Sequence, residues 1–61
     1  MNYVYILTVW YKNRNSYTNT YLNQNEAKDS YGEAKNKKNA DSALLLKVSY
    51  CSVDVEENWQ G

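Results

Sequence analysis

Tyr3-Val4-Tyr5-Ile6-Leu7-Thr8-Val9-Trp10-Tyr11 decides the fold. β-Branched and aromatic residues fill this stretch, the types that suit a pleated, half-buried surface, and both of its alternating faces are apolar. A strand apolar on both faces belongs inside a sheet, so residues 3–11 predict a central strand. Lys12-Asn13-Arg14-Asn15-Ser16 then reads as a polar turn, where asparagine tolerates left-handed backbone angles. It leads into a second strand over 17–22, and the two predict a hairpin.

Asn23 reads as a helix N-cap, with Glu26 three positions on reaching back in an asparagine version of the capping box. The predicted helix covers 24–38. Its apolar stripe is short, Ala27, Tyr31 and Ala34, with Lys28, Asp29, Glu33 and Lys35 turned outward. Gly32 costs roughly 1 kcal/mol against alanine there and points to a close backbone approach or a weak point. After a polar linker, a third strand is predicted over 43–53, and residues 54–61 read as an acidic tail ending near Trp59. The expectation is one α+β domain of order β-β-α-β: a three-stranded antiparallel sheet in the order 2-1-3, with one helix on one face.

One sheet face is thereby left uncovered, and register decides which side chains lie on it. Pairing Tyr11 with Tyr17, Val9 with Asn19 and Leu7 with Tyr21 gathers Tyr3, Tyr5, Leu7, Val9, Tyr11, Tyr17 and Tyr21 on one face. Val4, Ile6, Thr8, Trp10, Thr18, Thr20 and Leu22 share the other. The second set is more compact and suits an alanine-lined helix, so the tyrosine face is expected to stay open. Tyr and Trp offer large contact area at low entropic cost and a polar tip. The expected partner-binding residues are therefore Tyr3, Tyr5, Tyr11, Arg14, Tyr17 and Tyr21, with Trp59 in the tail. The alternative is that these tyrosines are ordinary strand formers, each solvated singly.

Composition narrows the function. A chain of 61 residues buries only about 60% of its unfolded surface and is marginally stable without a staple. Cys51 is the single cysteine and there is no histidine, which removes an internal disulfide and leaves little to hold a metal. Asp54, Glu56 and Glu57 read as a solvated edge, and no cofactor is expected. Oligomerisation is the remaining staple, so a homodimer or higher oligomer is expected. Seven Lys+Arg balance seven Asp+Glu, which disfavours nucleic acid; Lys35, Lys37 and Lys38 suit a helix C-terminus through its dipole. The sequence has no apolar run of membrane-spanning length and no leader-like start. No membrane association and a cytoplasmic location in a bacterial cell are expected. Catalysis is not expected, because Cys51 has no histidine to activate it and reads as a partly buried packing residue.

Val4-Tyr5-Ile6-Leu7, Asn25-Glu26-Ala27-Lys28 and Asp54-Val55-Glu56-Glu57-Asn58-Trp59-Gln60-Gly61 give the chain its one resemblance. It resembles a loose family of small uncharacterised phage and bacterial proteins with strand-strand-helix-strand order and a terminal acidic-Trp-Gly segment. The chain departs from that pattern in Gly32 within the helix and in nine asparagines. The resemblance implies the same fold, a phage-like origin and no catalytic residues. The functional expectation is a small non-catalytic protein-binding inhibitor of a host or defence protein. The alternative is an oligomer that sequesters a nucleotide or another small signal between protomers, with tyrosines stacking a base and Asn, Thr or Arg14 hydrogen-bonding its edges.

Overall fold

The computed structural model describes residues 3–61. The opening segment forms β1 (Val4–Tyr11) and turns into β2 (Ser16–Tyr21); α1 (Gln24–Lys35), β3 (Ala40–Ser49) and β4 (Ser52–Gln60) follow. The sheet runs β2-β1-β3-β4, with each neighbouring pair antiparallel. The chain is thus α+β with one helix and an antiparallel sheet, but the sheet has four strands. The expected count of three, and the order built on it, are corrected.

The fourth strand comes from the segment expected to be a tail. Carboxylates have low strand propensity, so Asp54, Glu56 and Glu57 mask the alternation that Val53 and Val55 begin. Ser49 lies opposite Ser52, so Tyr50-Cys51 forms the tip of a tight hairpin and the third strand ends at Ser49 rather than at 53. Cys51 sits exposed at that tip, not in the packing position expected of it. Along β4, Leu45 faces Glu57 whereas Leu46 faces Val55, so Glu56 is an extra, bulged residue. The bulge reverses the parity of the strand. Val53 and Val55 stand on one face, while Trp59, opposite Ala43, packs on the other against the core.

Asn23 caps α1 as expected: its Oδ1 accepts from the backbone N–H groups of Asn25 at 2.9 Å and Glu26 at 3.2 Å. The helix stops at Lys35, before the expected 38, in a tightened last turn where the N–H groups of Asn36 and Lys37 donate to Glu33 and Ala34 carbonyls. Its first turns are tied to the β4 bulge. Gln24 Nε2 donates to Glu56 Oε1 at 3.2 Å, and Lys28 Nζ lies 3.8 Å from the same oxygen. Ala27, Tyr31 and Ala34 meet Tyr5, Leu7, Val9, Ala43 and Leu45 to make the core.

Which face the helix covers reverses the expectation. The register pairs Tyr5 with Tyr21, Leu7 with Asn19 and Val9 with Tyr17. This is an even offset from the expected pairing, so each strand keeps its parity and the two side-chain sets remain as read. The tyrosine set, however, lies under the helix. An alanine stripe is slim and covers only the middle of a sheet. Leu7, Val9 and Leu45 fill the space beneath it, and Tyr3, Tyr11, Tyr17, Tyr21 and Trp59 pack around them. Rings with one wet end suit such a rim.

A Cβ at Gly32 would meet nothing within 4 Å, so no close approach explains the glycine there. Gly32→Ala should raise stability by about 0.5–1 kcal/mol through helix propensity alone. Asn23→Ala should lower it by about 0.5–2 kcal/mol by orphaning two N–H groups. Urea midpoints measure both, and a drop for Gly32→Ala would show that the helix packs more tightly than this structure has it.

Candidate functional site

The face away from the helix is assembled from three apolar strands. Alternation along β1 sends Val4, Ile6 and Trp10 outward while Tyr5, Leu7 and Val9 are buried. Their partners on β3 follow the same parity: Val4 faces Val48, Ile6 faces Leu46 and Thr8 faces Leu44. β4 adds Val55 beside Leu46 and Val53 beside Val48. On β2 the outward positions are Ser16, Thr18 and Thr20, and the Thr18 and Thr8 hydroxyls meet at 3.1 Å. Positions alternating onto this face along the paired strands are apolar or uncharged polar. Val53 is 63% and Val55 59% exposed, so water reaches aliphatic side chains that offer it no hydrogen bonds; Trp10, 41% exposed, offers only its indole N–H.

At the end of the sheet where β1 turns, two open grooves flank Trp10. One, of about 640 Å³, is lined by Trp10, Tyr11, Lys12, Arg14, Asp41, Ser42 and Gln60. The other, of about 420 Å³, runs past Leu44, Asn58 and Trp59. Arg14 has a φ of 71°, a left-handed conformation that side chains beyond Gly, Asn and Asp seldom adopt. The turn around it is well tied. The Tyr11 N–H donates to Asn15 O at 2.8 Å, the Arg14 N–H to Tyr11 O at 3.0 Å, and the Lys12 N–H to Asn39 O at 2.8 Å.

The expected binding residues divide differently. Tyr5 is 6% exposed and belongs to the core. Tyr3, Tyr11, Tyr17, Tyr21 and Trp59 are half-buried against it on the helix side, and only Arg14 is fully at the surface. The tyrosines interact mainly with their own structure: Tyr11 and Tyr17 rings stack at 5.9 Å, and Lys47 Nζ sits 4.2 Å over the Tyr3 ring. Lys35 Nζ lies 5.0 Å from the Tyr31 ring. The outward residues of β3 and β4, Leu44, Leu46, Val48, Val53 and Val55, were missed as site candidates. Their signal was present in Leu44-Leu45-Leu46, an uninterrupted apolar run that must face both ways in a strand.

No buried polar or charged side chain and no group of three metal-ligating side chains occurs among the described residues. Among the described residues, no helix is long and apolar enough to cross a membrane. Burial is the main cause that raises the Tyr17 and Tyr31 phenols above their ordinary range; the Tyr11 hydroxyl adds to it at Tyr17 and the Glu57 carboxylate at Tyr31.

A phenol raised in the folded state is held neutral, so its contribution is complete below the unfolded value of about 10 and is lost as pH climbs through the higher folded value. Alkaline titration followed by tyrosinate absorbance should therefore show the Tyr17 and Tyr31 steps above the ordinary phenol range. Urea midpoints should fall as pH rises beyond about 10. Tyr17→Phe and Tyr31→Phe identify the late steps. Ionisation of Tyr17 and Tyr31 in the ordinary phenol range, with unchanged stability, would place their rings in solvent.

Comparison with known proteins finds no family model, no curated protein and no solved structure that matches the chain.

Proposed function

We propose that this chain is a non-catalytic protein-interaction module that works through the open face of its sheet. The observation that carries this reading is the row Val4, Ile6, Leu44, Leu46, Val48, Val53 and Val55. These apolar side chains lie on a strand surface that no element among the described residues covers. A contiguous apolar patch spread over three strands is an association surface on a folded protein, whereas singly scattered apolar residues are ordinary. Its lack of charge fits a protein surface better than a phosphate backbone. In the phage or bacterial setting that the sequence resembles, such a module would inhibit a host or defence protein by occupying an apolar surface on it.

The nucleotide-sequestering alternative retains one supporting observation. The larger groove sets the half-exposed Trp10 indole beside Lys12 and Arg14, which suits a stacked base and a phosphate. Trp10→Ala should then abolish the tryptophan fluorescence change produced by added nucleoside monophosphate. No change in the unaltered protein at millimolar nucleotide would remove this alternative.

The main reading is tested by methyl-labelled NMR while the protein concentration is raised and while candidate protein partners are added. Shifts should concentrate on Ile6, Leu44, Leu46, Val48, Val53 and Val55, with Leu7, Val9 and Leu45 quiet beneath the helix. Perturbations centred on the tyrosine rim would place the working surface on the helix side and overturn the reading.

A further inference from the structure

We propose that the open face is covered by a second copy of this chain, joined face to face about a two-fold axis in an α-β-β-α sandwich with the helices outermost. This rests on the interaction reading above and names its occupant. Area is the first argument. With strands about 4.8 Å apart and rising about 3.3 Å per residue, four strands of six to ten residues, about eight on average, present roughly 500 Å². Two such faces bury roughly 1,000 Å², the area at which specific interfaces begin.

Charge is the second. A two-fold axis brings each face against an identical one, so any charge near the axis meets its own kind. The outward positions here are Val, Ile, Leu, Trp, Ser, Thr, Asn and Gln, and nothing repels. The carboxylates of β4 lie off this face. Glu56 is held by Gln24 and Lys28 of the helix, Glu57 lies near the helical Tyr31, and Asp54 pairs across the ladder with Lys47. The bulge at Glu56 produces that separation, because it keeps Val53 and Val55 on the open face while turning Glu57 and Trp59 to the other.

Layering is the third. A sheet apolar on both sides needs cover on both, and the single helix supplies one. Stacked sheets sit about 10 Å apart with strands crossed by about 30°, a spacing that interdigitated Leu, Ile and Val side chains fill. Edge pairing would leave the patch wet. β4 also defends its edge with a bulge and three carboxylates.

Sedimentation equilibrium and light scattering on the full chain provide the test. The expected mass is twice the 7.1 kDa of one chain, with a melting temperature that falls on dilution. Leu46→Lys, at the centre of the face, should weaken association by about 100-fold or more and leave the circular dichroism of the monomer unchanged. Asn19→Lys, on the outer strand and the helix-side parity, should leave the dimer intact. If Leu46→Lys fails to fold, isotope-filtered NOEs in a mixture of labelled and unlabelled protein decide: contacts between Leu44, Leu46 and Ile6 methyls of different protomers support the sandwich. A dimer lost in Asn19→Lys and kept in Leu46→Lys would overturn it in favour of edge pairing. A monomer at all concentrations whose face methyls shift with a different protein overturns the second copy and leaves the interaction reading standing. A monomer whose face methyls respond to nothing overturns both.

Discussion

One helix cannot cover two apolar faces, and most of this structure follows from that shortage. β1 alternates Tyr5, Leu7 and Val9 with Val4, Ile6 and Trp10, and β3 alternates Ala43 and Leu45 with Leu44, Leu46 and Val48. Both strands therefore sit inside the sheet, where each is flanked on both edges. Among the described residues the largest fully buried side chains are Leu7, Leu45 and Val9. The dry interior is a narrow strip between sheet and helix, and stability depends on how well that strip is closed at its sides.

Closure falls to the aromatic residues. α1 presents Ala27 and Ala34 to the sheet, which lets the helix approach but leaves gaps along its flanks. Tyr3, Tyr11, Tyr17, Tyr21 and Trp59 pack around the core there, with large rings that bury area and hydroxyls that can stay hydrated. The bulge at Glu56 belongs to the same closure. Without it, Trp59 would stand on the open face with Val53 and Val55. With it, the indole packs toward the core, and the Gly61 N–H donates to Asp41 O at 2.8 Å beyond it. A Cβ at Gly61 would come within 2.9 Å of the indole, so the close of the chain suits a residue without a side chain.

What the sequence made legible was local. Strand parity in β1 and β2, the Asn23 cap and the α+β class follow from alternation, capping chemistry and connection rules, each acting over a few residues. Two things escaped. β4 escaped because Asp54, Glu56 and Glu57 lower strand propensity and because a bulge breaks the period on which strand recognition depends. The covered face escaped because parity sorts side chains into two sets without saying which set meets the helix. That choice depends on volume. A slim alanine stripe needs large neighbours to fill its flanks, whereas the sequence reading matched it to the more compact set. Arg14 alone among the expected binding residues lies fully at the surface, on a turn where polarity signals exposure directly.

The division of side-chain types between the two faces bears on how the open one works. On the helix side, the rim residues are tyrosines, which tolerate half-hydration. On the open side, the middle of β1, β3 and β4 presents Val4, Ile6, Leu44, Leu46, Val48, Val53 and Val55, aliphatic side chains that gain only from complete removal of water. Threonine and serine appear on the open face chiefly at β2, where Thr18 and Thr20 border solvent. The face is therefore graded from polar at the β2 edge to apolar over β3. Any surface that docks here gains most when it is centred on Leu44, Leu46 and Val48, with β1 and β4 to either side and β2 at the wet margin. A dry centre with a polar border is the arrangement expected of a specific interface.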